Sequence, residues 1–355
     1  MAARPGSAFN PIPAGGYRRR RPNVSLKAIA AELGISVTTV SRALGGYDDV
    51  AEHTREQILA CALQRGYRPN AQARKLKTGR SNTVGLVLPF HKHVLHDANF
   101  INTLSGLSQA LAGQDRDLLL ITDEFHHGGS ALRNLLHSQK VDALIVAHCQ
   151  PDNQDMAILL AGQLPVLFFG LQVDDAAWFN IDIAPALRDA VERLTAGGYR
   201  RIAFIGGDGA IPYHQQRLDG FLAAMRRHQL EPAGIQLCSI GRGAGFLAVQ
   251  RLLAQAQTPD AIIVGSNVLG EGVATLLQRE ERLFNGRTAL IVVDELKEGC
   301  LINGKVTAIV QPAPDKAAGH IAGMIARLVD GAAPASVQTC WPARLGDGDT
   351  AHPRI

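Results

Sequence analysis

No apolar run in this 355-residue chain approaches the ~20 residues that a membrane-spanning helix needs, so no membrane partner is expected. Cysteine is sparse and unorganised. Cys61, Cys149, Cys238, Cys300 and Cys340 are odd in number and never form a C-x-x-C pair, which argues against a disulfide framework and a zinc site. Reduced, buried thiols are the expectation. The four arginines Arg18 to Arg21 have no apolar segment behind them, unlike a secretory signal, and residence in the cytoplasm is expected. Catalytic signatures are also missing: there is no G-x-S-x-G and no H-E-x-x-H, and Gly206-Gly207-Asp208-Gly209 fits neither G-x-G-x-x-G nor a P-loop. Neither an enzyme nor a cofactor is expected. What the chain does have is 46% apolar residues, enough to build cores and to exclude wholesale disorder.

Charge is unevenly distributed. Residues 1–80 hold 14 Lys and Arg against 5 Asp and Glu, a balance of +9, while the remainder holds 22 against 27, or −5. A basic head on a mildly acidic body is the footprint of a nucleic-acid-binding module joined to something else. Charge alone leaves a solvated basic tail equally open.

Residues 1–22 combine Pro, Gly and Arg without periodicity and read as a disordered basic arm. Three short helices follow. Ser25 caps the first, with Leu26, Ile29, Ala30 and Leu33 on one face and Gly34 as its stop. Ser36 caps the second, Val37 to Leu44. Thr54 is expected to cap the third, through Arg65, before Gly66. From residue 82 onward, β-rich runs alternate with helical patterns. The runs are 83–88, 117–122, 142–147, 166–169, 201–205, 261–264, 289–293 and 306–310; the helical patterns lie near 100–113, 130–138, 154–161, 184–196, 214–229, 244–256, 268–280 and 314–330. This alternation predicts parallel sheets covered by helices, and two sheets suit the length better than one.

In Ile35-Ser36-Val37-Thr38-Thr39-Val40-Ser41-Arg42-Ala43-Leu44, a turn at Gly34 leads into a helix whose outer face carries Val37, Thr38, Ser41 and Arg42. This is helix-turn-helix chemistry, in which the second helix enters the major groove. Arg42 can fork onto guanine, Val37 or the Thr38 methyl can meet a thymine methyl, and flanking hydroxyls such as those of Ser36 and Thr39 can hold phosphates.

With "ISVTTVSRAL" (35–44), "GYRPNAQARKLKTGRS" (66–81) and "NTVGLVLP" (82–89), the chain resembles the lactose-repressor (LacI) family of bacterial transcription regulators. Weaker but collinear matches follow in "GYRRIAFIGG" (198–207), "QRLDGFLAAM" (216–225), "DAIIVGSNVLGEGV" (260–273) and "VTAIVQP" (306–312). The resemblance implies an all-α helix-turn-helix head (23–69), a hinge helix and linker (70–81), and a two-lobed α/β core like that of periplasmic binding proteins (82–355). Residues 70–79 alone are too short for a stable helix in water and call for a partner, although a plain linker is the alternative. In the family, two such hinges pair in the minor groove. Leu76 matches the leucine wedged into the central base step, with Asn70, Ala73, Arg74 and Lys77 contributing to the DNA surface.

The resemblance also implies a small-molecule effector between the lobes. Arg217 matches the family's effector-binding arginine and Asp294 its acidic position. Ser266 and Asn267 stand where the family has Asn-Asp. A surface salt bridge and a helix cap are the respective alternatives for Arg217 and Asp294. Gly170 and Ile240 depart from an aspartate and an aromatic found in relatives. Phe90 and His91, in the loop after the first body strand, are further candidates for effector contact. The cluster His91, His93 and His96 also permits a metal or a merely solvated loop.

The expectation is a DNA-binding transcriptional regulator, a repressor, acting as a homodimer on double-stranded operator DNA of pseudo-palindromic sequence. Its effector would be a sugar, sugar acid, polyol or sugar phosphate, and dimerisation would use the helices near 100–113 and 268–280. A sugar receptor with no DNA role and an α/β sugar or nucleotide enzyme are the rivals.

Overall fold

A computed structural model describes residues 25–45, 47–67, 79–89, 98–123, 134–136, 138, 140–147, 153–208, 211–284 and 286–354. They fall into two compact units, Met1–Gly79 and Arg80–Ile355.

In the small unit, α1 (Leu26–Leu33) starts at Ser25, whose hydroxyl accepts the Ala28 amide at 3.3 Å, and ends at Gly34 in the left-handed region (φ 64°). That backbone turn, open to glycine at no steric cost, delivers the chain directly to Ser36. Ser36 accepts the Thr39 amide at 3.0 Å and so starts α2 (Val37–Leu44). The third helix, α3 (Glu52–Gln64), begins earlier than its sequence suggests. Ala51 occupies the cap position without a side-chain bond, and Thr54 lies inside the first turn instead of capping it. Ile29, Ala30, Val40, Ala43, Val50, Ile58, Cys61 and Ala62 form the bundle's small core.

The large unit is built from two six-stranded sheets. The first contains β1 (Thr83–Pro89), β2 (Asp117–Asp123), β3 (Ala143–Ala147), β4 (Val166–Phe169), β5 (Ala177–Asp182) and β11 (Gln338–Pro342), in the order β11-β5-β4-β3-β1-β2. The second contains β6 (Ile202–Gly207), β7 (Gly234–Cys238), β8 (Ala261–Val264), β9 (Ala289–Val293), β10 (Thr307–Val310) and β12 (Arg344–Leu345), in the order β12-β10-β9-β8-β6-β7. Pairings are parallel apart from β10 with β12. The helices are α4 (Ala98–Ala112), α5 (Asn153–Ala161), α6 (Ala184–Ala196), α7 (Pro212–Arg227), α8 (Arg242–Leu253), α9 (Asn267–Arg279) and α10 (Pro314–Val329). Strands β3, β4, β6, β8 and β9 are buried along their whole length, as parallel strands with both faces covered must be.

The two lobes exchange chain three times. After β5 the chain enters the second lobe through α6. After β10 it returns through Gln311 and Pro312 to α10, which packs on α4 in the first lobe. The tail completes the first sheet with β11 and then crosses again to lay β12 beside β10. Trp341 of β11 meets Phe179 of β5 edge to face, with ring centroids 5.2 Å apart.

Four strands were not anticipated: β5, β7, β11 and β12. Continuous apolar runs mark buried parallel strands, and these four lack them. β7 and β11 alternate half-buried and exposed positions as edge strands do, β12 has only two residues, and β5 carries Asn180 and Asp182. The cysteines also depart from expectation, for among the described residues only Cys61 is buried. Cys238 and Cys300 are partly exposed and Cys340 is exposed. Desolvation nevertheless holds all four above the ordinary thiol range, so they remain weak nucleophiles. The expected helix at 130–138 has only residues 134–136 and 138 described. The arm at 1–22, Cys149 and the histidine cluster 91–96 lie outside the described residues, as does the expected hinge as far as residue 78.

Each lobe ties down the entrance to its first strand with one aspartate. Asp142 accepts the Ser81 amide at 2.6 Å and the Asn82 amide at 2.8 Å, just ahead of β1. Asp260, 1% exposed, accepts the Arg201 amide at 2.9 Å ahead of β6 and also the Arg354 guanidinium at 3.1 Å. Removing this buried carboxylate takes the acceptor from the part-buried Arg201 amide, while the partly exposed Arg354 guanidinium can turn to water. Asp260→Ala should lower unfolding stability by about 2 kcal/mol in urea titration, and a loss below ~1 kcal/mol would show that the aspartate is not a structural tie.

Candidate functional site

The head presents the N-terminal turn of α2 to solvent, with Ser36, Val37 and Thr38 exposed and Thr39 and Ser41 half-buried. The hydroxyls of Ser36 and Thr39 lie 2.8 Å apart, and Ser36 already caps the helix, so these two groups shape the turn as well as facing outward. Arg42, on the last turn, is not held out as a free fork. Its guanidinium pairs with Asp49 and lies 4.8 Å from the Tyr47 ring centroid. The hydrogen bond from Arg42 holds the Asp49 carboxyl below the usual carboxylate range. Reading a base with Arg42 therefore requires exchange of Asp49 for the DNA. Asn70, Ala73, Arg74, Leu76 and Lys77 lie outside the described residues.

In the body, a cavity of about 70 Å³ opens between the lobes. Phe169 and Gly170 reach it from the end of β4, Asn180 from β5, Gln311 from the end of β10 and Arg217 from α7. Most of these positions follow the carboxyl ends of parallel strands, where open α/β sheets gather their ligands. Phe100 and Tyr213 add aromatic surface, and Asn99 and Thr103 approach from α4. Gly170 has φ 82°, a conformation that excludes most side chains and accounts for glycine at this point in the wall.

Arg217 is only 7% exposed. Its Nη1 donates to the Gly265 carbonyl at 2.6 Å, and its guanidinium lies 4.7 Å from the Tyr213 ring centroid. Among the described residues no carboxylate pairs with it. A surface salt bridge is thus not its role. Asp294, just past β9, is buried at φ 68°. It is not a helix cap: its Oδ1 accepts Asn99 Nδ2 at 2.6 Å and Gln311 Nε2 at 2.9 Å. Asn99 belongs to the first lobe, so this carboxylate bridges the lobes while orienting two amides of the cavity wall.

Ser266 and Asn267 are buried beside Gly265 but do not line the cavity. The Asn267 side-chain oxygen Oδ1 accepts the Val268 amide at 2.8 Å at the start of α9. Ile240 packs against the second lobe's core and is likewise absent from the wall. Phe90 and His91 lie outside the described residues. Asn99, Asn180, Gln216 and Gln311 had not been anticipated. Gln311 follows a strand end within a recognised block and was open to the same reasoning that found Asp294. Asn180 sits on the unanticipated β5 and gave no such signal.

Two family models match the chain. "Bacterial regulatory proteins, lacI family" covers residues 25–70, and "Periplasmic binding proteins and sugar binding domain of LacI family" covers residues 81–338. The chain is 39% identical over 333 residues to the HTH-type transcriptional regulator RafR of Escherichia coli, spanning 93% of this chain and 99% of that protein. The chain belongs to the LacI family. Among solved structures, a putative transcriptional regulator from Yersinia pestis biovar Microtus str. 91001 is 35% identical, with a TM-score of 0.73 over 78% of this chain and all of the other. The Lac repressor dimer bound to operator and the anti-inducer ONPF shares the fold, with 20% identity and a TM-score of 0.81 over 93% of this chain and all of the other. This LacI-family protein is accordingly a DNA-binding transcriptional regulator, and its relatives are regulators rather than enzymes.

Because Asp49 holds the Arg42 fork, Asp49→Asn should tighten binding to the regulator's DNA site several-fold at fixed salt. The gain should disappear in an Arg42→Ala background, a coupling that a double-mutant cycle of gel-shift affinities measures. Equal gains in both backgrounds would mean that Asp49 acts only as a local negative charge.

Proposed function

We propose that this LacI-family regulator is a repressor that binds a pseudo-palindromic operator as a homodimer and is controlled by a neutral sugar held between its lobes. Two-fold symmetry suits a recognition helix of eight residues, because one copy meets few bases and a dyad-related copy doubles the reading. In the head, the side chains assigned to base edges are Val37, Thr38 and Arg42, with Ser36, Thr39 and Ser41 toward phosphates. Asn70, Ala73, Arg74, Leu76 and Lys77 would form the hinge contacts.

The observation that carries the effector reading is Arg217: a cation removed from water, with no carboxylate partner among the described residues, lining a cavity. Such a charge is costly unless something supplies oxygens to it. Hydroxyl oxygens of a sugar do so, the Asn and Gln amides of the wall can donate and accept in turn, and Phe100, Phe169 and Tyr213 offer surface to the sugar's C–H faces. The charge balance favours a neutral ligand over a sugar acid or phosphate. Arg217 and Asp294 already sum to zero, so an anion would leave the closed site with a net negative charge in low dielectric. The cavity is smaller than the ~300–1,000 Å³ of typical ligand sites, so a sugar enters as the lobes part, loosening the Asn99–Asp294 bond between them. An effector that binds one lobe arrangement better than the other then shifts the population of DNA-competent dimers.

A thermal-shift panel of neutral sugars, uronic acids and sugar phosphates tests this. At a concentration about 100-fold above Kd, the cognate sugar should stabilise the protein by about 2.7 kcal/mol. Arg217→Met should abolish that shift while leaving operator affinity in the absence of sugar unchanged. Stabilisation by anionic sugars alone would overturn the charge-balance argument.

A further inference from the structure

The second lobe holds another cavity, at the opposite end of its sheet from the effector site. Its volume is about 460 Å³, within the ~300–1,000 Å³ of typical ligand sites. Thr288 lines it immediately ahead of β9, whereas Asp294 follows the same strand. Six residues of strand at ~3.3 Å each put about 20 Å between them, so the two cavities are separate. Tyr199, Phe284 and Gly286 supply further wall, and the rest comes from the C-terminal tail beyond β12.

Backbone bonds fix that tail. The Asp349 amide donates to the Lys305 carbonyl at 2.7 Å, the Leu290 amide to the Thr350 carbonyl at 2.7 Å and the Arg354 amide to the Gly197 carbonyl at 2.9 Å. Side chains add to this. Tyr199 Oη donates to the His352 carbonyl at 2.8 Å, and the Arg354 guanidinium lies 5.0 Å from the Tyr199 ring centroid while its Nη1 donates to Asp260 at 3.1 Å. The walls are thus set before a ligand arrives, which lowers the ordering cost of binding. Three polar groups on them have hydrogen-bonding capacity in hand. Thr288 is 2% exposed, and its hydroxyl has no protein partner among the described residues, a costly state for a buried donor. Asp349 Oδ2 accepts the Lys305 amide at 2.7 Å, but His352 Nε2 stands 3.7 Å from Oδ1, too far for a hydrogen bond. Arg354 spends Nη1 on Asp260 and Nε on the Gly286 carbonyl at 3.3 Å, and Nη2 can still donate.

We propose that this cavity is a second ligand site, which takes a neutral polyhydroxylated ring of monosaccharide size. Its hydroxyls bond Thr288, Asp349 and Arg354, and its C–H face rests on the exposed ring of Phe284. A saturated ring carries hydroxyls all around its rim, so it can meet an acceptor, a donor and a hydroxyl at once. Charge argues for a neutral ligand. Asp260 already answers the Arg354 cation, and the Asp349 carboxylate on the same wall repels an anion. The proposal stands apart from the reading of the cleft between the lobes, because no residue is shared between the two walls.

The test is calorimetric titration of the full chain carrying Arg217→Met, a change that removes the cation assigned to the cleft. The probes are glucose and galactose, with glucuronate, glucose 6-phosphate and adenosine for comparison. Saturable binding of glucose or galactose at millimolar concentration is expected. Adding Thr288→Val should weaken it about fivefold, and adding Asp349→Asn, which keeps an acceptor for the Lys305 amide, about tenfold. Thr288→Val conserves shape and deletes an unpaired hydroxyl, so its thermal melt without ligand should match or exceed that of the parent. A matching melt for Asp349→Asn confirms that its loss of binding is local. Absence of saturable binding by both neutral sugars overturns the proposal. So does an affinity that neither added substitution changes, which would put the sugar elsewhere, or a preference for glucuronate, glucose 6-phosphate or adenosine. Failure of the cleft reading shows differently, as sugar binding by the unaltered chain that Arg217→Met leaves intact and that Thr288→Val and Asp349→Asn account for in full.

Discussion

A buried guanidinium, with no carboxylate partner among the described residues, sets the terms for the body of this protein. Arg217 receives one carbonyl oxygen from Gly265 and the face of Tyr213, and it lines a cavity. Such a group persists only where surrounding structure compels it and where a ligand can complete it. The surroundings are the carboxyl ends of two parallel sheets. Because parallel strands end together on one side of a sheet, placing two sheets with those ends opposed brings Phe169, Gly170 and Gln311 into one wall. Asp294 holds the amides of Asn99 and Gln311 behind that wall, so its negative charge balances Arg217 without meeting it directly.

The two lobes solve the same folding problem in the same way. Each has the strand order second, first, third, fourth, fifth, closed by a strand from the C-terminal tail. Each also uses an aspartate before its third strand, Asp142 or Asp260, to bond backbone amides ahead of its first. Three chain crossings join the lobes and permit them to shift relative to one another as bodies, with the Asn99–Asp294 bond spanning the gap. A ligand acting there gains leverage because the interactions it makes differ between the lobe arrangements.

Much of the fold was legible from local pattern. Ser25 and Ser36 marked two helix starts, Gly34 marked a stop, and the apolar runs at 143–147, 261–264 and 289–293 marked central strands. Those signals are local, since a cap bonds within one turn and a central strand is apolar along its length. The third helix misled because Thr54 is a good cap residue in a place where the chain is already helical: Ala51 starts the helix although its side chain offers no hydrogen bond. At the site, Arg217 and Asp294 stood out through their resemblance to family positions. Asn180 did not, because a strand interrupted by Asn180 and Asp182 lacks the continuous apolar run of its neighbours.

The sequence by itself determined the kind of parts present: a small helical head, two alternating α/β bodies, and a cationic excess confined to one end. These follow from periodicity, capping and charge, each of which acts over a few residues. Only the tertiary structure decided that Arg42 rests on Asp49, that Arg217 is buried on the Gly265 carbonyl, that Asp294 bridges the lobes, and that Ser266 and Asn267 stand back from the cavity. The partners in each ion pair or bridge lie between seven and some two hundred residues apart in the chain, and no local period encodes which of several candidates will meet once the sheets have assembled.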